Sequence, residues 1–190
     1  MHLRHLLARR TVLAGTGLLA GTALLGACST SEPQRDDLTA RAEAARADLF
    51  RQVPATRALA ESSAGYLIFP SVTQGALIIG AQYGNGVLFK GGRPAGFYNV
   101  TGGSFGLQAG AQNFSQAYFF TTAEALATFE RTRGLELGAG VDFAVADVGA
   151  SGQISTSTLQ KPVVVFVWGQ EGLFAGVNVA GQKITERPSG

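Results

Sequence analysis

Residues 102–106, Gly102-Gly103-Ser104-Phe105-Gly106, match the Gly-x-Ser-x-Gly pattern in which a serine serves as the nucleophile of a hydrolase. That chemistry needs a histidine base and a helix directly after the serine. The only histidines, His2 and His5, lie in a segment expected to be cleaved off, and "FGLQAGAQ" alternates as a strand does. Ser104 is therefore expected to be a strand or turn residue. Glu136 and Asp142 share a face of one proposed strand, which sets them roughly 20 Å apart. A glycosidase pair needs about 5 to 9.5 Å. Asp142 and Asp147 could face a cation near the Asp147-Val148-Gly149 turn, but two side chains are thin for calcium, and a solvated face is the expectation. With no His/Cys set for zinc either, the residues point to a protein without catalysis, metal or cofactor.

The one cysteine in the chain, Cys28, has a different context. Upstream lie Arg4, Arg9 and Arg10, then an apolar run from about Val12 to Ala27 that ends in small residues. This is the three-part layout of a secretory signal peptide. The run is shorter than the roughly 20 residues that cross a bilayer, and glycines interrupt it. Leu25-Gly26-Ala27-Cys28 looks like a bacterial lipobox, in which the cysteine is acylated and the chain is cut before it. Arg9-Arg10 followed by Thr11-Val12-Leu13 suits a twin-arginine signal or a plain basic leader, and both stay open. The expected organisation is a signal peptide at 1–27, a lipidated tether at 28–37 and one domain at 38–187. Ser29 after the cysteine suits the periplasmic face of an outer membrane, hence a lipid-anchored envelope protein.

Cleavage before Cys28 changes the charge. Three of the 15 Lys and Arg leave, so 12 remain against 13 Asp and Glu, and the net charge falls from +2 to about −1. A nucleic-acid partner is not expected without a basic footprint. A disulfide is excluded by the single cysteine.

The elements that would position functional residues read as follows. Leu38, Ala42, Ala45, Leu49 and Val53 fall on one helical stripe, and Pro54 suits the first turn of a second helix, which predicts helices at about 37–52 and 54–62. A further helix is expected at 122–132, capped by Thr121 or Thr122 and stopped by Gly134. From Gly65 onward, short apolar segments alternate or run continuously between turn signals at Asn85-Gly86, Gly91-Gly92 and Gly169–Gly172. The clearest is "LELGAGVDFAVAD", in which Leu135 through Val145 read as one strand. The expected fold is α+β, with N-terminal helices packed on a strongly bent antiparallel sheet or partly closed β-barrel.

Arg41, Arg46, Arg51 and Arg57 recur through the helical segment with Arg35, and with nearby leucines they could face a membrane. Asp36, Asp37, Glu43, Asp48 and Glu61 match them one for one, which equally describes a solvated, salt-bridged face. Trp168 ends "PVVVFVW" and is expected in the core, with a lipid-touching rim position as the alternative.

Four stretches, "GYLIFPSVTQGALIIGAQYGNGVLF", "GFYNVTGGSFGLQAGAQ", "LELGAGVDFAVADVGASG" and "GLFAGVNVAGQKITER", together resemble the SYLF domain family of lipid-binding proteins in order and spacing. The resemblance covers nearly all of residues 38–187. It implies phospholipid binding by the domain, with Arg41, Arg46, Arg51, Arg57, Lys90, Arg93 and Trp168 as candidate lipid contacts. Eukaryotic members are expected to use a basic amphipathic N-terminal segment toward phosphoinositides. The charge-balanced helix here departs from that pattern, so neither phosphoinositide specificity nor the actin binding of some fungal relatives carries over. The expected function is that of an acyl-anchored lipoprotein whose domain binds phospholipid or the membrane surface. The alternative is a structural or protein-interaction module whose partner is another envelope protein.

Overall fold

A computed structural model describes residues 31–76, 79–105, 110–138, 142–147, 156–172, 179 and 181–188. Cys28 and the leader lie outside the described residues. Helix α1 spans Ser31–Gln52 and α2 Ala55–Ser62. Four long strands follow: β1 Gly65–Ala76, β2 Ile79–Lys90, β3 Arg93–Phe105 and β4 Gly110–Phe120. Then come α3 Ala123–Arg131, β5 Gly134–Glu136, β6 Phe143–Asp147, the single turn α4 Thr156–Leu159, β7 Val163–Gly172 and β8 Lys183–Glu186. The strands form one sheet in the order β5-β8-β3-β2-β1-β4-β7-β6. It curls through 232° into a half-barrel, so the expected α+β class and strong bend are both present.

The sheet is mixed rather than wholly antiparallel, because β6 runs parallel to β7 with α4 in the crossover between them.

Both faces of the sheet are buried over the lower half of the strands, which is why "YLIF", "AYFF" and "VVVFVW" are continuous apolar runs rather than alternating ones. Leu67, Phe69, Leu88, Tyr118, Phe120, Val163 and Val165 form the concave core with Leu126 and Phe129 of α3. Tyr66, Ile68, Phe89, Phe119, Phe166 and Trp168 form the convex core beneath Leu38, Ala42 and Leu49 of α1 and Val53 just after it. The helical stripe read from the sequence is thus the buried stripe of α1. The helix itself begins at Ser31, so most of the stretch expected as a tether is its first two turns.

Three sequence expectations give way. The stretch 135–145 is two strands at opposite edges of the sheet: β5 pairs with β8 and β6 with β7. Leu137 still pairs with the chain at Gly181 and Gln182, and at Gly138, with φ +102°, the chain leaves the strand. Alternation persisted because Leu135, Leu137 and Phe143 all pack into the same concave core from either side of the opening. Asn85-Gly86 is no turn but the middle of β2, opposite Asn99 and Tyr98 of β3. A Cβ on Gly86 would meet the Phe69 ring at 2.6 Å and the Ile68 carbonyl at 2.7 Å, so this glycine serves close packing against β1. The quartet from Gly169 to Gly172 is also strand. Gly169, at φ +65°, is the extra residue of a bulge where Ser115 pairs Trp168 but Asn113 pairs Glu171.

Other expectations hold. Gly91 and Gly92, at φ +55° and +77°, form a two-residue hairpin turn between Lys90 and Arg93. Thr122 caps α3 by accepting from the Ala125 N–H. At the other end of α3, Arg133 at φ +52°, not Gly134, takes the first left-handed position. Ser104 lies in β3 opposite Gly80, as a strand residue.

The sequence did not announce the polar layer of the concave interior. Gln74, Gln82, Gln112, Gln116 and Gln182 are all at most 4% exposed. Gln82 and Gln112 each donate to the Gln74 carboxamide oxygen, at 3.1 and 3.2 Å, and Gln182 donates to Gln82. Tyr118 sits between Gln182 and the Gln116 oxygen, the latter at 3.0 Å. A phenol has one proton, so it donates to one of these oxygens only. Every link is satisfied when the Gln116 carboxamide presents its nitrogen to Tyr118, and Gln116 then keeps one buried polar atom without a protein partner.

Tyr118→Phe removes the proton at the centre of this chain and leaves buried carboxamide atoms unpaired. It should lower stability by about 1–3 kcal/mol in urea unfolding. Alkaline pH attacks the same core. Burial holds the Tyr118 phenol far above its usual range, and Tyr98 is pushed up to about 12 by burial first and then by the charges of Glu186 and Glu130. Unfolded tyrosines ionise near pH 10, so the unfolded chain loses protons that the native state retains. Stability should be complete below about pH 10 and fall as pH rises toward 12. Urea midpoints measured across that range should decline, and Tyr98→Phe should make the decline shallower.

Candidate anion-binding cleft

The candidate arginines divide by what each side chain touches. Arg41 pairs with Asp37 at 3.0 Å and Arg51 with Asp48 at 2.6 Å, both on the exposed side of α1. Lys90 pairs with Glu130 of α3 at 2.9 Å, and Arg93 is exposed beyond the hairpin turn. Trp168 is 2% exposed in the convex core, where it touches no surface ligand. Arg46 and Arg57 are different. They line one open cleft of about 520 Å³ with Phe50, Glu61, Ser63, Tyr66, Gly91 and Gly92. Its volume is in the range of small-molecule sites.

The cleft follows from how the elements meet. Pro54 ends α1 and starts α2, so Arg46 from α1 and Arg57 from α2 converge on the same hollow. The hairpin turn of Gly91 and Gly92 supplies the opposite wall, and Tyr66 from the start of β1 the floor. The Arg46 guanidinium lies 4.8 Å over the Phe89 ring and donates to the Tyr66 hydroxyl at 2.9 Å and the Gly92 carbonyl at 3.4 Å. Tyr66 in turn stacks on Phe89 at 5.4 Å. The Arg57 guanidinium lies 5.2 Å over Phe50. Stacking on rings fixes each planar fork without consuming its charge.

Among the described residues neither arginine has a carboxylate within ion-pair distance. Glu61 is the single acid lining the cleft. Two pre-oriented forks over an aromatic floor match a phosphate or carboxylate, whose oxygens accept paired N–H groups. Among the described residues no three of His, Cys, Asp and Glu gather as a metal set would. Asp142 is paired with Lys161 at 2.9 Å.

Sequence reasoning named Arg46 and Arg57 but could not separate them from Arg41 and Arg51. It missed Phe50, Phe89, Tyr66 and the Gly91-Gly92 wall. The available signal was position: Arg46 lies four residues after Ala42, on the stripe side of α1, whereas acid spacing does not separate the arginines, since Glu43 precedes Arg46 by three residues as Asp48 precedes Arg51.

Residues 101–190 match the family described as Ysc84: Las17-binding protein actin regulator. This stretch is similar to the Ysc84 (SYLF) domain. No curated protein matches the chain. The matched stretch begins within β3, so β1, β2 and the cleft arginines lie before it, although β1 and β2 are central strands of the same sheet.

Arg46→Gln removes a ring stack and a hydrogen bond to a buried hydroxyl, and should cost about 1 kcal/mol of stability in urea unfolding. Arg41→Gln and Arg51→Gln, which remove only exposed ion pairs, should cost a few tenths.

Proposed function

We propose that this protein is a non-enzymatic, acyl-anchored lipoprotein of the cell envelope, on the periplasmic face of the outer membrane, whose SYLF domain binds phospholipid headgroups in the Arg46/Arg57 cleft. The observation that carries this reading is the pair of unneutralised guanidiniums, each stacked on a ring, facing one cleft. A headgroup phosphate supplies the oxygens those forks accept, and Phe50 and the Tyr66 floor suit the apolar atoms beside it. Acylation of Cys28 supports the same placement. At about 0.8 kcal/mol for each buried methylene, multiple chains hold the protein at a bilayer without help from the domain, which leaves the cleft free to select a headgroup. The family description names a protein partner, Las17, for its members. An envelope protein is accordingly the alternative occupant.

A chain beginning at Ser29 should co-sediment with vesicles containing phosphatidylglycerol, and Arg46→Gln with Arg57→Gln should weaken that by about tenfold or more. Glu61→Gln should strengthen it, since the cleft loses its one acid. Co-sedimentation with no headgroup, alongside stoichiometric capture of one envelope protein, would decide for the alternative. Intact mass of native material should show the chain starting at an acylated Cys28, and a mass that still includes Met1 would rule out the anchor.

A further inference from the structure

A second cleft, of about 300 Å³, lies on the other side of the β2–β3 hairpin and is lined by Arg35, Pro94, Ala95, Phe97, Glu186 and Arg187. Its composition repeats that of the first: two arginines, one glutamate, a ring and hairpin backbone. The Arg35 guanidinium lies 5.3 Å over the Phe97 ring and, among the described residues, makes one hydrogen bond, to the Pro188 carbonyl at 3.2 Å. Arg187 is anchored beside it by its main chain, whose N–H donates to the Phe97 carbonyl at 2.8 Å. The Glu186 carboxylate is drawn toward Arg133, 3.9 Å away. Among the described residues neither Arg35 nor Arg187 has an ion-pair partner.

We propose that Arg35 and Arg187 form a second anion site, which takes a phosphoryl group. Arg35, with one of its five N–H groups committed and its plane held by Phe97, presents the rest of its fork to the cleft. Pro94 and Ala95 give an apolar wall for the atoms that carry the phosphoryl group. Arg35 and Arg46 are eleven residues apart on the same side of α1, so the two sites are about 16 Å apart along the helix axis. A helix lying along a bilayer surface would engage two headgroups at once. This site does not depend on the first being a lipid site, and a soluble phosphomonoester would satisfy the same groups. Only the choice of a lipid as its source leans on the proposed Cys28 anchor, which ends three residues, at most about 10 Å, before α1.

The test uses the full chain in dodecyl maltoside with arginine side-chain N–H resonances as the readout, titrated with glycerol 3-phosphate in one arm and with phosphatidylglycerol-doped micelles in the other. It is run in an Arg46→Gln/Arg57→Gln background, so that failure of the first cleft cannot masquerade as failure of the second. The expected result is saturable shifts of Arg35 and Arg187 in at least one arm. Adding Arg35→Gln and Arg187→Gln should weaken binding about tenfold, and Arg35→Lys/Arg187→Lys should restore part of it. A response in the soluble arm identifies a free phosphoryl ligand, and a response with micelles alone identifies a headgroup. No saturable shift in either arm would overturn the site. So would shifts of equal size at Arg41 or Arg131, since diffuse surface charge would then explain the binding. Unchanged amide dispersion in the glutamine variants separates lost binding from lost folding.

Discussion

The curl of the sheet depends on a line of side-chain hydrogen bonds that crosses its interior. Tyr118 is on β4, and Gln182 immediately precedes β8, four strands away in the sheet and thus about 19 Å around it. They touch only because the sheet bends back on itself. Gln82, Gln74 and Gln112 continue the line across β2, β1 and β4. A chain of this kind is costly when incomplete and specifying when complete, because each amide left unpaired in the interior would forfeit its hydration. Apolar packing under α3 would tolerate many curvatures. The glutamine layer tolerates the one in which its donors meet their acceptors.

That curvature determines where ligands can reach the surface. The concave side is filled by Phe120, Phe129, Leu126 and the glutamines, so the described interior is occupied by the protein's own side chains. The convex side is covered by α1 laid over β1 and β2, with Leu59 and Ala60 of the short α2 at its end, and these two helices cannot cover a bent sheet evenly. Hollows remain where the β2–β3 hairpin rises beside it. The arginines that edge those hollows sit over Phe89 and Phe97, on the two strands of that hairpin. The same aromatic content that builds the convex core therefore also orients the cations at its margin.

Much of this was legible in the sequence, for reasons that differ by element. The α1 stripe, the Thr122 cap and the Gly91-Gly92 turn are local signals, and local signals survive in the structure. The failures are long-range. Nothing near Asn85-Gly86 says that a ring from β1 will press against the backbone there, so a residue pair favoured in turns was misread. The 135–145 pattern satisfied strand periodicity because Leu135, Leu137 and Phe143 face one core, yet they belong to opposite edges of the sheet and Val145 is exposed. The glutamines were invisible because polarity in a strand ordinarily marks the solvent face. Only their register against Leu88, Phe114 and Val72 shows that Gln82, Gln112, Gln116 and Gln74 point inward.

Net charge was the least informative quantity, and the structure explains why. The residues from Cys28 onward carry 12 Lys and Arg against 13 Asp and Glu, and matching arginines to acids along α1 suggests complete neutralisation. Neutralisation is a matter of contact, not of totals. Arg41, Arg51, Lys90, Arg133 and Lys161 each have an acid within 4.0 Å. Arg35, Arg46 and Arg57 have aromatic rings instead, and a ring restrains a guanidinium without cancelling its charge. Both clefts that flank the hairpin are thus edged by arginines held on rings, each beside a single glutamate, Glu61 or Glu186. Cations placed in this way favour binding at defined points over general electrostatic adhesion.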